Sequence, residues 1–396
     1  MDSAKSILKS NIWKMYIFRF FISLHFIAGV LIPFFLDWGR ISFFQIMVLQ
    51  SWFVLWVLVL EIPTGAIADY WGRKKALIIA AMLHAIGVLV YVSVQNFYVF
   101  MLGEFIWAFG LAMMSGADES MIYDSLKVTK QEKLSKRILG RYGSVEMLGV
   151  MVGAPIGSLI AATLGLRWTM LLMSIPFSLA FLIALSLKEP IIRKTKEGVK
   201  YLETLTKGVR YFYSHKVLRI LTFDGISIAV LAFLIIWTYQ LLLLDLKLDI
   251  MYFGAVTAML TGLQAVIMSN FGLLEKIVGS RKNYLTISAI IPGAGFILLG
   301  FSKNVVLSII LILLIAGFGI SRYILVSNYM NKHIKSNIRA TVLSAASMLE
   351  SLGLAIMYPL VGLLAEWSLN YTFIIIGVLI IFATVVSRVE ERHLID

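Results

Sequence analysis

The sequence predicts an all-α integral membrane protein with twelve transmembrane helices, and three observations carry that prediction. Hydrophobic residues make up 60% of the 396-residue chain and charged residues only 14%, far more apolar surface than one soluble core can bury. About twelve apolar stretches are long enough to cross a bilayer, because a hydrocarbon core of about 30 Å takes about 20 helical residues. An internal repeat displaced by 204 residues then divides these stretches into two sets of six. Alternation with a period of two is absent, which argues against a closed barrel.

In chain order the expected spans are 14–36, 42–66, 77–94, 98–119, 140–163, 168–187, 218–244, 252–274, 284–301, 305–328, 340–365 and 371–387. The first follows Lys5, Lys9 and Lys14 as a secretory signal would. Its length, Arg19 within it and the lack of a small-x-small cleavage site make it the first transmembrane helix instead. With the N-terminus inside, the inner segments hold 29 Lys and Arg, and the outer loops hold only Arg40, Arg167, Lys247 and Lys303. This bias predicts an inner or plasma membrane protein with both termini cytoplasmic. The net charge of +13 therefore reports orientation, and no nucleic-acid partner is expected.

Residues 1–190 are read as an N-terminal six-helix bundle, 191–216 as a cytoplasmic linker and 217–396 as a C-terminal six-helix bundle. In the linker Val199, Leu202, Leu205, Val209 and Phe212 recur at helical spacing opposite Lys196, Lys200, Lys207 and Arg210. This predicts an amphipathic helix, lying on the anionic inner leaflet or solvated as a plain connector. The repeat is clearest in the fifth and eleventh spans. Glu146-Met147-Leu148-Gly149 followed by Pro155 matches Glu350-Ser351-Leu352-Gly353 followed by Pro359 at a constant displacement of 204, which also maps Asp118 onto Arg322.

Between the second and third spans stands Gly65-Ala66-Ile67-Ala68-Asp69-Tyr70-Trp71-Gly72-Arg73-Lys74-Lys75. A topogenic basic turn accounts for Arg73, Lys74 and Lys75 but not for Asp69. A weaker echo, with Gly272, Leu274, Glu275, Gly279, Arg281 and Lys282, lies between the eighth and ninth spans. The fifth span carries Gly140, Gly149, Gly153, Pro155 and Gly157. Small residues at four-residue spacing allow close helix approach and proline bends a helix, so ordinary packing also explains them.

Helix number, paired halves, linker and loop motif together resemble the major facilitator superfamily of secondary transporters. The fifth span is similar to the glycine-rich motif of its twelve-helix drug:proton antiporters, although its proline is one position late and Ser158 replaces a second glycine. The resemblance implies two pseudo-symmetric six-helix bundles, alternating access and a substrate site near the midplane between the halves. It also implies that Asp69, within the gate motif Gly65, Asp69, Gly72, Arg73 and Lys74, helps latch the halves at the cytoplasmic side. Tyr70 departs from the pattern, which usually has a basic residue there.

Charged side chains inside a membrane are costly unless paired or facing water, which makes each a functional candidate. Arg19, Asp118, Glu146, Arg322 and Glu350 fall in the inner third of their spans. The resemblance brings the fifth helix to the tenth and the eleventh to the fourth, so Glu146 is expected to pair with Arg322. Glu350 would then meet Asp118, two carboxylates sharing one proton, with Arg19 compensating when the proton leaves. A static ion-pair network is the alternative.

Glu104, Trp107, Leu111, Ser115 and Asp118 form one stripe along the fourth span if it is a single helix, and the stripe is expected to face an aqueous cavity. Trp237 and Gln240 are expected to join it from the seventh span. Glu104 beside Trp107 would favour a lipophilic cation, unless Glu104 is hydrogen-bonded within the bundle and Trp107 only packs. His25 and His84 are read as packing residues.

The expected function is secondary active transport by alternating access, as proton-coupled efflux of small amphipathic compounds. The partners are a small-molecule substrate, protons as coupling ion and the lipid bilayer, with the carrier a monomer. A metabolite permease is the alternative within transport, and a non-transporting membrane receptor or assembly partner the alternative from another class. No enzyme is expected, since no nucleophile constellation is visible. No cofactor or metal is expected either, with no cysteine, five scattered histidines and no phosphate-binding glycine loop.

Overall fold

The computed structural model describes residues 2–190, 210–212, 214–335 and 338–394. Among them, twelve helical segments are long and apolar enough to cross a membrane, and no strand occurs. They are α1 (Leu8–Gly29), α2 (Phe43–Trp71), α3 (Arg73–Tyr91), α4 (Phe97–Val128), α5 (Glu132–Leu164), α6 (Leu166–Ser186), α7 (Lys216–Asp245), α8 (Ile250–Ser269), α9 (Arg281–Leu299), α10 (Val305–Met330), α11 (Arg339–Trp367) and α12 (Leu369–Val386). Helices prevail because hydrocarbon offers backbone N–H and C=O groups no partner outside the segment itself. Polar side chains start several of them. Asn96, Asn304 and Ser368 accept the N–H of Tyr98, Leu307 and Tyr371, the usual way to satisfy an open first turn.

Three departures from the expected spans matter for the site. The regular helix of α1 ends at Ile22, and the chain resumes as a 3-10 turn at Phe26–Gly29. The first span accordingly begins earlier than residue 14 and is interrupted near Leu24, while short helical turns continue through Leu31–Pro33 and Phe34–Trp38. α4 is broken at Ser115–Gly116, where Gly116 takes φ +71 and a second helix, Ala117–Val128, starts. α2 does not stop at 66 but continues through the charged motif to Trp71, because helical hydrogen bonding outlasts the apolar pattern.

The chain separates into two compact units. One comprises residues 1–42, 52–199 and 250–258; the other comprises 43–51, 200–249 and 259–396. The amphipathic linker helix expected from Val199 onward lies outside the described residues except at its end, where Arg210–Phe212 is helical and Phe212 is buried.

In the first unit α3 packs on α4 and α6, and glycines let the helices approach. Gly87 faces the Trp107 indole, Gly103 the Tyr91 ring and Gly110 the His84 imidazole. The beginning of α8 belongs here, its Gly254 N–H donating to Ser158 Oγ on α5 at 2.6 Å. In the second unit α9 packs on α12, with Gly377 against the Gly293 carbonyl. The beginning of α2 belongs there. Phe44 N–H donates to Glu366 at 2.8 Å, and the Ser51 hydroxyl to the Ala355 carbonyl at 2.6 Å, both on α11.

Candidate functional site

The motif from Gly65 to Lys74 turns on a single residue. Helix α2 runs to Trp71, Gly72 takes φ +101, and α3 begins at Arg73. Asp69, in the last turn of α2, forms an ion pair with Arg73, whose Nε also lies 3.7 Å from Asp124 on α4. Glu189, just beyond α6, accepts the N–H groups of Arg73 and Lys74 at 2.8 and 2.7 Å. Both carboxylate oxygens thus cap the first turn of α3, where charge and helix dipole reinforce each other. Only glycine suits position 72, since its φ is positive and a Cβ would lie 2.9 Å from the Glu189 carboxylate. Gly65 has open space around it, and Lys74 contributes its backbone to the cap.

The second unit holds a copy. Gly279, at φ +90, precedes α9, whose Arg281 and Lys282 N–H groups donate to Glu391 at 3.2 and 2.8 Å. Arg281 Nε lies 3.6 Å from Glu275, which also accepts the Tyr329 hydroxyl. The weak echo in sequence thus carries the same kind of carboxylate cap, with Ser280 inserted between the glycine and the arginine. Asp124, Glu189 and Glu391 were not singled out from the sequence. The signal was the short Ser-x-x-Glu run that closes each set of six spans, Ser186 to Glu189 and Ser387 to Glu390, with Glu391 next.

Inside the first unit, Arg19 on α1 bridges two carboxylates. Its guanidinium lies 3.3 Å from Asp118 and forms a second ion pair with Glu146 on α5. The Tyr142 hydroxyl donates to Asp118 at 3.0 Å, and the Tyr142 ring carries the guanidinium on its face at 5.1 Å. The Glu119 N–H, in the first turn after the α4 break, donates to the other Asp118 oxygen at 2.7 Å. Asp118 is buried, whereas the Glu146 side chain is 47% exposed. One cation thus serves two acids, one sealed and one open.

The second unit has the same pair with the charges exchanged. Asp224 on α7 pairs with Arg322 on α10, and the two side chains are 4% and 1% exposed. Arg322 also donates to the Leu285 carbonyl and to Ser288 Oγ at 2.7 Å, while the Ser387 hydroxyl donates to Asp224 at 2.6 Å. This corrects the pairing expected from the sequence: Arg322 meets Asp224, and Glu146 meets Arg19. Asp224 was overlooked. It lies 205 residues beyond Arg19, one step from the 204-residue register that maps Asp118 onto Arg322. Glu350 on α11 lies beside Tyr323 on α10, and among the described residues no Lys or Arg forms an ion pair with it.

The stripe expected along α4 does not form. The break at Ser115–Gly116 resets the helical phase, so Glu104 and Trp107 precede it and Asp118 follows it. Glu104 is buried beside Tyr91 on α3. The Trp107 indole N–H donates to the His84 carbonyl at 3.0 Å, and its ring packs among His25, Tyr91 and Phe177. Both residues pack within the first unit, Glu104 buried and Trp107 half-buried, whereas Ser115 at the break is exposed. In the second unit Trp237 meets Tyr358 edge to face at 5.9 Å, and the buried Gln240 donates to the Tyr239 hydroxyl at 3.0 Å.

The α5 glycines pack against the broken end of α1. Added Cβ atoms at Gly149 and Gly153 would press on Ser23 and on the His25 backbone, and at Gly157 would overlap the Phe26 carbonyl; Gly140 has nothing within 4 Å. Pro155 lies in the same stretch of helix. Gly157→Ala is therefore expected to reduce monodisperse protein severely on size-exclusion chromatography, and Gly140→Ala to leave it unchanged. Equal behaviour of the two variants would remove the packing explanation.

The Major Facilitator Superfamily model matches residues 15–357. No curated protein sequence matches the chain. Among solved structures the chain is similar to the nucleoside transporter NupG, with a TM-score of 0.76 at 13% identity, covering 94% of this chain and 97% of that one. It is also similar to a bacterial homologue of the human lysosomal transporter Spinster, in an inward-facing and unoccupied conformation. There the TM-score is 0.77 at 15% identity, covering 98% of this chain and 97% of the other. These likenesses establish the fold, and the family match across most of the sequence establishes that this chain belongs to the major facilitator superfamily.

Proposed function

We propose that the protein is a proton-coupled secondary transporter that exports small amphipathic compounds by alternating access, acting as a monomer in the cell membrane with both termini cytoplasmic. The observation that carries this reading is the Arg19–Asp118–Glu146 cluster, where one guanidinium faces two carboxylates and the outer one is half-exposed. When both acids are ionised the cluster holds a surplus negative charge, and one proton neutralises it. Such a group can be reached by water and still feel the buried pair, as a coupling site requires. Glu350, beside Tyr323 and with no ion-paired cation among the described residues, is the second carboxyl proposed to carry the proton.

The direction of transport rests on the similarity of α5 to the antiporter motif. A metabolite permease is the second reading, favoured by the fold likeness to a protein named as a nucleoside transporter. Both readings are tested in proteoliposomes with an imposed pH gradient, using a cationic dye and a nucleoside as probes. Asp118→Asn, Glu146→Gln and Glu350→Gln are made in parallel. Gradient-driven dye movement that is lost in these variants supports the proposal. Nucleoside uptake without dye movement supports the permease, and flux in every variant that still follows the gradient would exclude all three carboxyls as coupling sites.

A further inference from the structure

We propose that the cytoplasmic tip of the α4–α5 hairpin is a docking site for the anionic lipid headgroups of the inner leaflet. Lys127, Lys130, Lys133, Lys136, Arg137 and Arg141 all lie on this tip, and all six are exposed. Among the described residues none of them forms an ion pair. The one acid within the same stretch is Glu132, also exposed, so the tip carries a net charge of +5 over residues 127–141.

Cations in other inter-helix turns are used differently. Arg73 is held by Asp69 and Asp124, and Arg281 is held by Glu275 and donates to the Leu394 carbonyl at 2.7 Å. Among the described residues the tip cations form no such ion pair, although Lys127 lies near the Asp124 charge. Unpaired like charges gathered on a turn repel one another unless an external anion is supplied.

The position of the tip identifies that anion as a lipid headgroup. Only three residues separate α4 from α5, and Lys130 closes the turn at φ +59. α5 has 33 residues, about 50 Å of helix at 1.5 Å per residue. That exceeds both the hydrocarbon thickness of about 30 Å and the full bilayer of about 40–45 Å. Its first turns, with Lys136, Arg137 and Arg141, therefore stand at headgroup depth. Exposed Tyr123 and Leu134 flank the cations and supply the apolar anchors of an interfacial surface. A soluble polyanion would have no use for them.

The test uses the full-length purified protein in nanodiscs of phosphatidylcholine, alone or mixed with phosphatidylglycerol, with bound lipid counted by native mass spectrometry. Each cation near a charged leaflet strengthens binding by roughly fivefold. The triple variant Lys130→Gln, Lys133→Gln, Lys136→Gln is thus expected to lose about a hundredfold in preference for phosphatidylglycerol. Its Arg counterpart at the same three positions should keep the preference, and added salt should weaken it in the wild type. Equal retention of phosphatidylglycerol by wild type and the Gln variant would overturn the proposal. So would displacement of the lipid by inorganic polyphosphate at concentrations that also bind the lipid-free protein in detergent, which would assign the tip to a soluble polyanion.

Discussion

Replacing Arg322 with leucine is expected to leave most of the protein aggregated on extraction, while the double replacement Asp224→Leu with Arg322→Met recovers a monodisperse species. Arg322 is almost wholly buried and is held by the Asp224 carboxylate, a backbone carbonyl and Ser288. Removing the cation alone strands Asp224 away from water with only the Ser387 hydroxyl, and breaking a buried pair in this way costs about 3–5 kcal/mol. Replacing both partners with apolar groups removes the stranded charge and is often nearly neutral.

The charge-reversed double variant, Asp224→Arg with Arg322→Asp, is expected to be intermediate. Its polarity is the one the first unit already accommodates, with the cation on the first helix and the acid on the fourth. Thermal unfolding followed by size-exclusion fluorescence separates these outcomes. Wild-type stability in Arg322→Leu would show that the pair is not a structural pin.

The two ion pairs also show what the sequence could and could not convey. Twelve spans and two halves were legible because hydropathy and repeat register are properties of the chain itself. Asp118 and Arg322 fell in register, so they were found. Asp224 sits one residue off that register from Arg19, so the constant displacement of 204 does not reveal it.

The stripe from Glu104 to Asp118 failed for another reason. Counting turns along α4 assumes an unbroken helix, and the left-handed conformation of Gly116 cannot be told from sequence, where glycines also mark plain packing. Glu189 and Glu391 stand outside the apolar stretches, where an acid looks like an ordinary solvated residue until the first turns of α3 and α9 are placed against it.

Asp69→Asn is expected to cut transport more than tenfold while leaving the unfolding temperature within a degree or two of the wild type. The Asp69 side chain is 60% exposed and pairs with Arg73, and an exposed ion pair of this kind contributes about 0–1 kcal/mol. Arg73 keeps Asp124, and the Glu189 cap on Arg73 and Lys74 does not involve Asp69. The local fold therefore has little to lose. A collapse of flux without a change in stability places the charge in the transport cycle, as the proposed latch requires. Glu189→Gln supplies the contrast, because it weakens a charge-assisted double cap at the start of α3 by about 1–2 kcal/mol. That variant should unfold at a lower temperature yet retain most of its flux per folded molecule. Initial rates in proteoliposomes, normalised to monodisperse protein, measure both. Wild-type flux in well-folded Asp69→Asn would end the latch assignment, since nothing else about Asp69 distinguishes it from a neutral residue at the end of a helix.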